Sequence, residues 1–450
     1  VDAQTPCPVM NVVSRRLRAR LVACRRAFSS ETLMKLKQSQ ADSPVNETKA
    51  AETEEDSASK LRKSRVYTTE LDMKLEKTNI PCFRIIDEEG QVVKSDYKPS
   101  LSVEKMIKIY ETMSKLTVMD KIFYDAQRQG RISFFMQHMG EQAALIGSAA
   151  ALDQEDVVYT QYREAGVYMW RGFDIQQMSH QCYGNVHDYG KGRQMPIHYG
   201  SRASNVHTVS SPLATQIPHA AGAAYALKLE GKPNVGIAYF GDGAASEGDF
   251  HAALNFAATL ECPVIFFCRN NGWAISTPVH EQFRGDGILS RAKGYGMYGY
   301  RVDGNDMLAV YEATKEAREY AVEQKKPVLL EAMSYRRSHH SSSDDSSTYR
   351  PKDELEWWQN NNNPIDRVRM HLEARGAWDS DKEAAMRQSM KKQVVACLNE
   401  AERAPKPPIV DLFTDVYKEM PPRLKEQKAA LEEHLAKYPE AYNLGKYAKE

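Results

Sequence analysis

Asp242 sits between two glycines in Gly241-Asp242-Gly243, and Asn270-Asn271-Gly272 follows after about 26 residues. A carboxylate and an amide carbonyl are hard oxygen donors of the kind Mg²⁺ takes. Three more clusters could share a site with them: Gln161-Tyr162-Arg163, Arg269 beside the asparagine pair, and Arg336, Arg337, His339 and His340. Several guanidinium groups with an imidazole suit a diphosphate. Taken singly, Asp-Gly and Asn-Gly are ordinary turn dipeptides. Brought to one place, these residues would bind a Mg²⁺-held diphosphate.

What precedes each cluster puts them in one place. Residues 157–159, 235–240, 264–268 and 328–335 are β-rich runs, and each ends just before one of the clusters. Helical patterns over 214–229, 250–260 and 307–323 separate them, with the right length for right-handed βαβ crossovers. This predicts an α/β fold, a parallel sheet with helices on both faces, in which ligands bind beyond the carboxyl ends of the strands. Gly241 and Gly243 would let the backbone approach a ligand, and a helix starting near 247–250 would turn its positive end toward an anion. No GxxxxGK[ST] phosphate loop occurs, and Gly294-x-Gly296-x-x-Gly299, with no strand before it and no helix after it, reads as a loop.

The rest of the 450-residue chain frames this module. Lys plus Arg and Asp plus Glu both total 60, so no net field favours nucleic acid or an anionic membrane. No apolar run approaches the roughly 20 residues that span a bilayer. The seven cysteines form no CxxC pair, which argues against a zinc cage or a disulfide framework. Residues 10–30 carry six arginines, interleaved Leu and Val, terminal serines and no acid, so 1–30 reads as a mitochondrial presequence. Residues 31–65 read as a flexible linker, 66–379 as the α/β domain with an N-terminal helical arm over 101–127, and 380–450 as a helical C-terminal region. The 339–350 segment, with five Ser and two Asp, reads as a mobile loop.

The stretch GDGAASEGDFHAALNFAATLECPVIFFCRNNGWAIS resembles the thiamine diphosphate fingerprint. With SSPLATQIPHAAGAAYA, QYREAG, GKGRQMPIHYG and YRRSHHSSSDDSSTYR, the chain is similar over residues 65–440 to the alpha subunits of branched-chain 2-oxo acid dehydrogenases. The resemblance implies a thiamine diphosphate-binding fold, decarboxylation of branched-chain 2-oxo acids and acyl transfer to a lipoyl-bearing transacylase in the mitochondrial matrix. It implies Mg²⁺ on Asp242, Asn271 and the Trp273 carbonyl; members often carry Glu and Tyr at the first and third positions. It implies cofactor contacts from Tyr162, Arg163, Ser211, Leu213, Gly243, Ala244, Arg269 and His340, with His340 as the catalytic residue. K⁺ would lie on Ser210, Pro212, Thr215 and Gln216, and Phe134 and Leu213 would flank the substrate. From the residues alone, Ser210-Ser211-Pro212 reads only as a helix start.

The resemblance further implies a beta subunit in an α₂β₂ heterotetramer, and a kinase and phosphatase acting on Ser341. A second phosphorylation position expected after Tyr349-Arg350 is occupied by Pro351. A pyruvate-type alpha subunit and a non-catalytic diphosphate-binding paralogue are the competing readings.

Overall fold

The structure, a computed structural model, describes residues 79–94 and 96–449. The presequence and linker readings lie outside the described residues. In chain order the helices and strands are α1 (Val103–Arg128), α2 (Gln142–Ala150), β1 (Val157–Tyr159), α3 (Ala165–Trp170), α4 (Ile175–Tyr183), α5 (Gln216–Leu229), β2 (Gly236–Gly241), α6 (Gly248–Thr259) and β3 (Val264–Asn270). A short hairpin follows, β4 (Trp273–Ala274) and β5 (Thr277–Pro278), then α7 (Val279–Gln282), β6 (Tyr298–Asp303), α8 (Met307–Gln324) and β7 (Val328–Met333). The chain closes with α9 (Lys352–Asn361), α10 (Pro364–Ala374), α11 (Ser380–Arg403) and α12 (Pro422–Lys437).

Five strands form one parallel sheet in the order β1-β2-β3-β7-β6. The period-2 pleat splits their side chains between two cores. Ile237 and Tyr239 of β2, Ile265 and Phe267 of β3, and Val328 and Leu330 of β7 pack with α1, α2 and α8. Ala238 and Phe240, Val264 and Phe266, and Leu329 face the other way, onto α5 and α6. Burying each such Ile or Phe contributes roughly 1.5–3 kcal/mol, which fixes the register, since a one-residue slip would exchange the two faces.

The order of the strands places the site. From β1 through β2 to β3 the chain steps in one direction, and right-handed crossovers put α5 and α6 on one face. It then jumps to the β6 edge and returns to β7, so α8 lands on the opposite face. The reversal lies between β3 and β7, and in open parallel sheets that is where ligands bind.

β6 corrects the sequence reading. The glycines read as a loop belong to a 3₁₀ helix at Leu289–Tyr295, its left-handed cap Gly296, and β6 itself. The edge strand YGYRVD carries too few apolar residues to announce itself. Helix α5 begins at Gln216, not 214, because Ala214 has a positive φ of 70° that no helix continues through. In α1, the Ser102 side chain accepts from the Lys105 amide, and Met106, Ile109, Met113, Leu116 and Met119 form the buried stripe. Within the C-terminal region, α11 is capped by Asp379 and places Val394 and Leu398 in the same core as α1.

Candidate active site

A cavity of about 290 Å³ opens where β1, β2, β3 and β7 end. Tyr162 and Arg163 come from the β1 end, Asp242, Gly243 and Ala244 from β2, Arg269, Asn271 and Trp273 from β3 and the hairpin, and Arg336 and His340 from the segment after β7. Leu213 lines its mouth. The clusters picked from sequence therefore meet in one place, except that Arg337 and His339 do not line the cavity.

Its floor is a buried charge lattice. Arg163, Arg269 and Arg336 are each almost fully buried. Glu141, with no exposed surface, lies 2.9 Å from Arg269 and 3.4 Å from Arg163, and Glu164 lies 2.5 Å from Arg269. Burial pushes the Glu141 carboxyl up, but the Arg269 and Arg163 guanidinium groups outweigh it and hold it below the usual range. Arg336 makes no ion pair among the described residues. It donates to the Trp273 and Ile275 carbonyls at 3.3 and 2.8 Å and to the Tyr349 hydroxyl at 3.2 Å. An uncompensated buried guanidinium on a cavity wall is a place for an anion.

Beside it the donors are acceptors. Asp242 is buried, and burial raises its carboxyl; no cation pairs with it among the described residues, and the Gln282 amide at 2.6 Å and the Asn271 backbone offset the burial only in part. Asn271 donates its Nδ2 to Glu141 at 2.9 Å, and its Oδ1 accepts from the Trp273 amide at 3.2 Å. Among the described residues no three His, Cys, Asp or Glu gather as a metal group. One carboxylate, one amide oxygen and one carbonyl make a hard, low-charge set that suits Mg²⁺ sharing its sphere with phosphate oxygens.

His340 closes the outer edge. Its amide donates to Asp344 at 2.8 Å, its carbonyl accepts from Arg163 at 2.8 Å, and its ring meets Tyr162 edge to face at 6.0 Å. Burial and the positive charges of Arg163 and Arg336 bring its imidazole down to about 3, so it is neutral at physiological pH.

Several expected residues stand elsewhere. Ser211 does not line the cavity; its hydroxyl pairs with His198 Nε2 at 2.8 Å. Phe134 is half-buried against the core and also lies off the cavity wall. Ser210, Pro212 and Thr215 gather before α5, with the Thr215 hydroxyl 2.9 Å from both the Ser210 hydroxyl and the Pro212 carbonyl. Gln216 is buried, donates to the Tyr239 carbonyl at 3.0 Å, and leaves its Oε1 without a partner.

One expectation gains a second reason and another needs revision. Gly243 is required by the protein itself: a Cβ there would stand 2.8 Å from Ala274 Cβ of the hairpin. The 339–350 segment, read as mobile, is tied down by hydrogen bonds. Arg350 donates to the Arg336 and Ser338 carbonyls and the Ser346 hydroxyl, Ser342 exchanges bonds with the Phe135 backbone, and Ser341 is only 9% exposed.

Glu141 escaped the sequence reading. It is 128 residues from Arg269, and nothing local marks it. The neighbouring Gly140 has a φ of +94° and no room for a Cβ against the Tyr335 carbonyl, a constraint that appears only in the fold.

A family model described as the dehydrogenase E1 component matches residues 110–410. The chain belongs to that family. Among relatives of this E1 component, the mitochondrial 2-oxoisovalerate dehydrogenase subunit alpha of Bos taurus is 55% identical over 372 residues, 83% of this chain and 82% of that protein. The subunit alpha of Dictyostelium discoideum is 54% identical over 383 residues, 85% and 87% of the two chains. Subunit alpha 1 of Arabidopsis thaliana is 50% identical over 382 residues, 84% and 81%. The E1 component match spans the cavity, the sheet and all of α11.

Proposed function

We propose that this chain is the alpha subunit of a branched-chain 2-oxo acid dehydrogenase of the mitochondrial matrix, which decarboxylates the 2-oxo acids and passes the acyl group to a lipoyl-bearing transacylase. The observation that carries the reading is the convergence of three buried arginines with Asp242 and Asn271 at the strand ends, in a chain 55% identical to a 2-oxoisovalerate dehydrogenase subunit alpha.

Thiamine diphosphate, when bound, supplies the electron sink for decarboxylation. Arg163, Arg269 and Arg336 would take the diphosphate. Asp242, Asn271 and the Trp273 carbonyl would hold Mg²⁺, the carbonyl keeping its bond from Arg336 through its second lone pair. Tyr162, Leu213, Gly243 and Ala244 would shape the cofactor's seat, and Ser211 would reach it only by leaving His198. His340, neutral, would offer or accept a hydrogen bond at the entrance without placing a like charge beside Arg163 and Arg336. The partnerless Gln216 Oε1 and, just before it in the chain, the gathered Ser210, Pro212 and Thr215 oxygens support a K⁺ site there.

Asp242 is the one carboxylate on the cavity wall among the described residues, and the metal would claim it. Activating the cofactor's aminopyrimidine ring needs another, so a beta subunit would complete the site in an α₂β₂ assembly. Ser341, beside His340, would be the kinase site; phosphate there would repel the diphosphate. Co-expression with a beta partner and assay against 2-oxoisovalerate, 2-oxoisocaproate and pyruvate tests the reading. The branched substrates should turn over faster; a preference for pyruvate would favour a pyruvate-type subunit.

A further inference from the structure

Glu141 touches both halves of the candidate site. Its Oε1 accepts from Arg269 Nη1 and Asn271 Nδ2, each at 2.9 Å, and its Oε2 lies 3.4 Å from Arg163 Nε. A carboxylate can only accept, so the amide edge turned toward it must be the NH₂ group. That leaves the Asn271 oxygen on the other edge, where it accepts from the Trp273 amide at 3.2 Å and keeps a lone pair for a metal. The same carboxylate removes part of the positive charge that Arg163 and Arg269 would otherwise offer an anion.

We propose that Glu141 is a positioning residue that makes binding of the diphosphate depend on the metal: it aims Asn271 at the cation and holds down the metal-free affinity of the two arginines for phosphate. The inference rests on the site reading above. Outer ligands of this kind typically change metal affinity by about 10–100-fold when removed.

The Glu141→Gln variant separates this role from a structural one, because its two effects have opposite signs. Its single amide oxygen can face Arg269 and Asn271 or Arg163 but not both, which loosens the hold on Asn271, and Arg163 and Arg269 lose their counter-charge. In the assembled protein with its beta partner, the Mg²⁺ concentration needed to retain thiamine diphosphate should rise roughly tenfold or more. Inorganic diphosphate, titrated in EDTA, should bind more tightly than to the parent. If Glu141→Gln does not assemble, Glu141→Asp serves: the charge stays while the carboxylate withdraws from Asn271. Metal affinity should then fall, with metal-free diphosphate affinity changed less than in Glu141→Gln because the counter-charge remains. Parallel loss of both affinities, or no change in either, overturns the proposal. A parent protein that binds neither probe overturns the site reading and this inference with it.

Discussion

His340 carries a proton-linked consequence that can be measured. Its imidazole titrates near 3 in the folded protein and near its ordinary value of 6.5 when unfolded. Between these values the unfolded chain binds the extra proton, so His340 costs stability as the pH falls from 6.5 toward 3 and costs none above it. His340→Gln should therefore lose less stability than the parent between pH 6.5 and 4, followed by Tm; identical acid profiles would refute the neutral assignment. At Gly243 the constraint is steric. Gly243→Ala should destabilise by about 1–3 kcal/mol through the 2.8 Å approach to Ala274, and adding Ala274→Gly should recover most of the loss. Additive losses in the double variant would show that the hairpin contact is not the cause.

At the level of elements, the 338–350 segment is the part whose behaviour depends on its anchors. Arg350 is buried and satisfies two carbonyls and a serine hydroxyl, so Arg350→Ala should cost about 1–3 kcal/mol of local stability. Proteolysis within the segment should accelerate roughly tenfold while cleavage elsewhere is unchanged, since local opening controls the rate. Uniform acceleration across the chain would mean that Arg350 supports the whole fold instead. A kinase acting on Ser341 would meet a side chain only 9% exposed, and so would act on the opened segment. Ser341→Glu should abolish turnover of the assembled enzyme, and a fully active variant would contradict the proposed switch.

These elements also show where sequence stops being informative. The central strands were legible because strands buried on both faces are runs of apolar and β-branched residues, and their polar ends named the site. The edge strand β6 was not, because it needs only one buried face and carries Arg301, which pairs with the buried Glu331 of β7 at 3.0 Å. Asp242, Asn271 and Arg269 sit in short motifs beside strand ends. Glu141 sits in a loop before α2 and acquires its meaning only when folding brings it to Arg269. The serine-rich composition of 339–350 suggested mobility, since composition cannot display the arginine that ties a loop down from its far end.

Over the whole molecule, the sheet and both cores serve to hold one wall of a site. That wall holds three buried arginines and the proposed metal oxygens, and the cavity opens past Leu213 and Ile275, each 37% or more exposed. The C-terminal helix α11 ties into the same core as α1, so changes to Val394 or Leu398 would reach the domain and not a detachable tail. No helix among the described residues is long and apolar enough to cross a membrane. The central claim is that this chain supplies the diphosphate-and-metal half of a thiamine-dependent site. It is tested most directly by titrating thiamine diphosphate into the assembled protein in Mg²⁺ and in EDTA, for the parent and for Asp242→Ala. The account predicts saturable binding by the parent in Mg²⁺, weakened in EDTA, and equally weak binding by Asp242→Ala in both. Binding by the parent that is indifferent to Mg²⁺, or by Asp242→Ala that matches the parent, would contradict it.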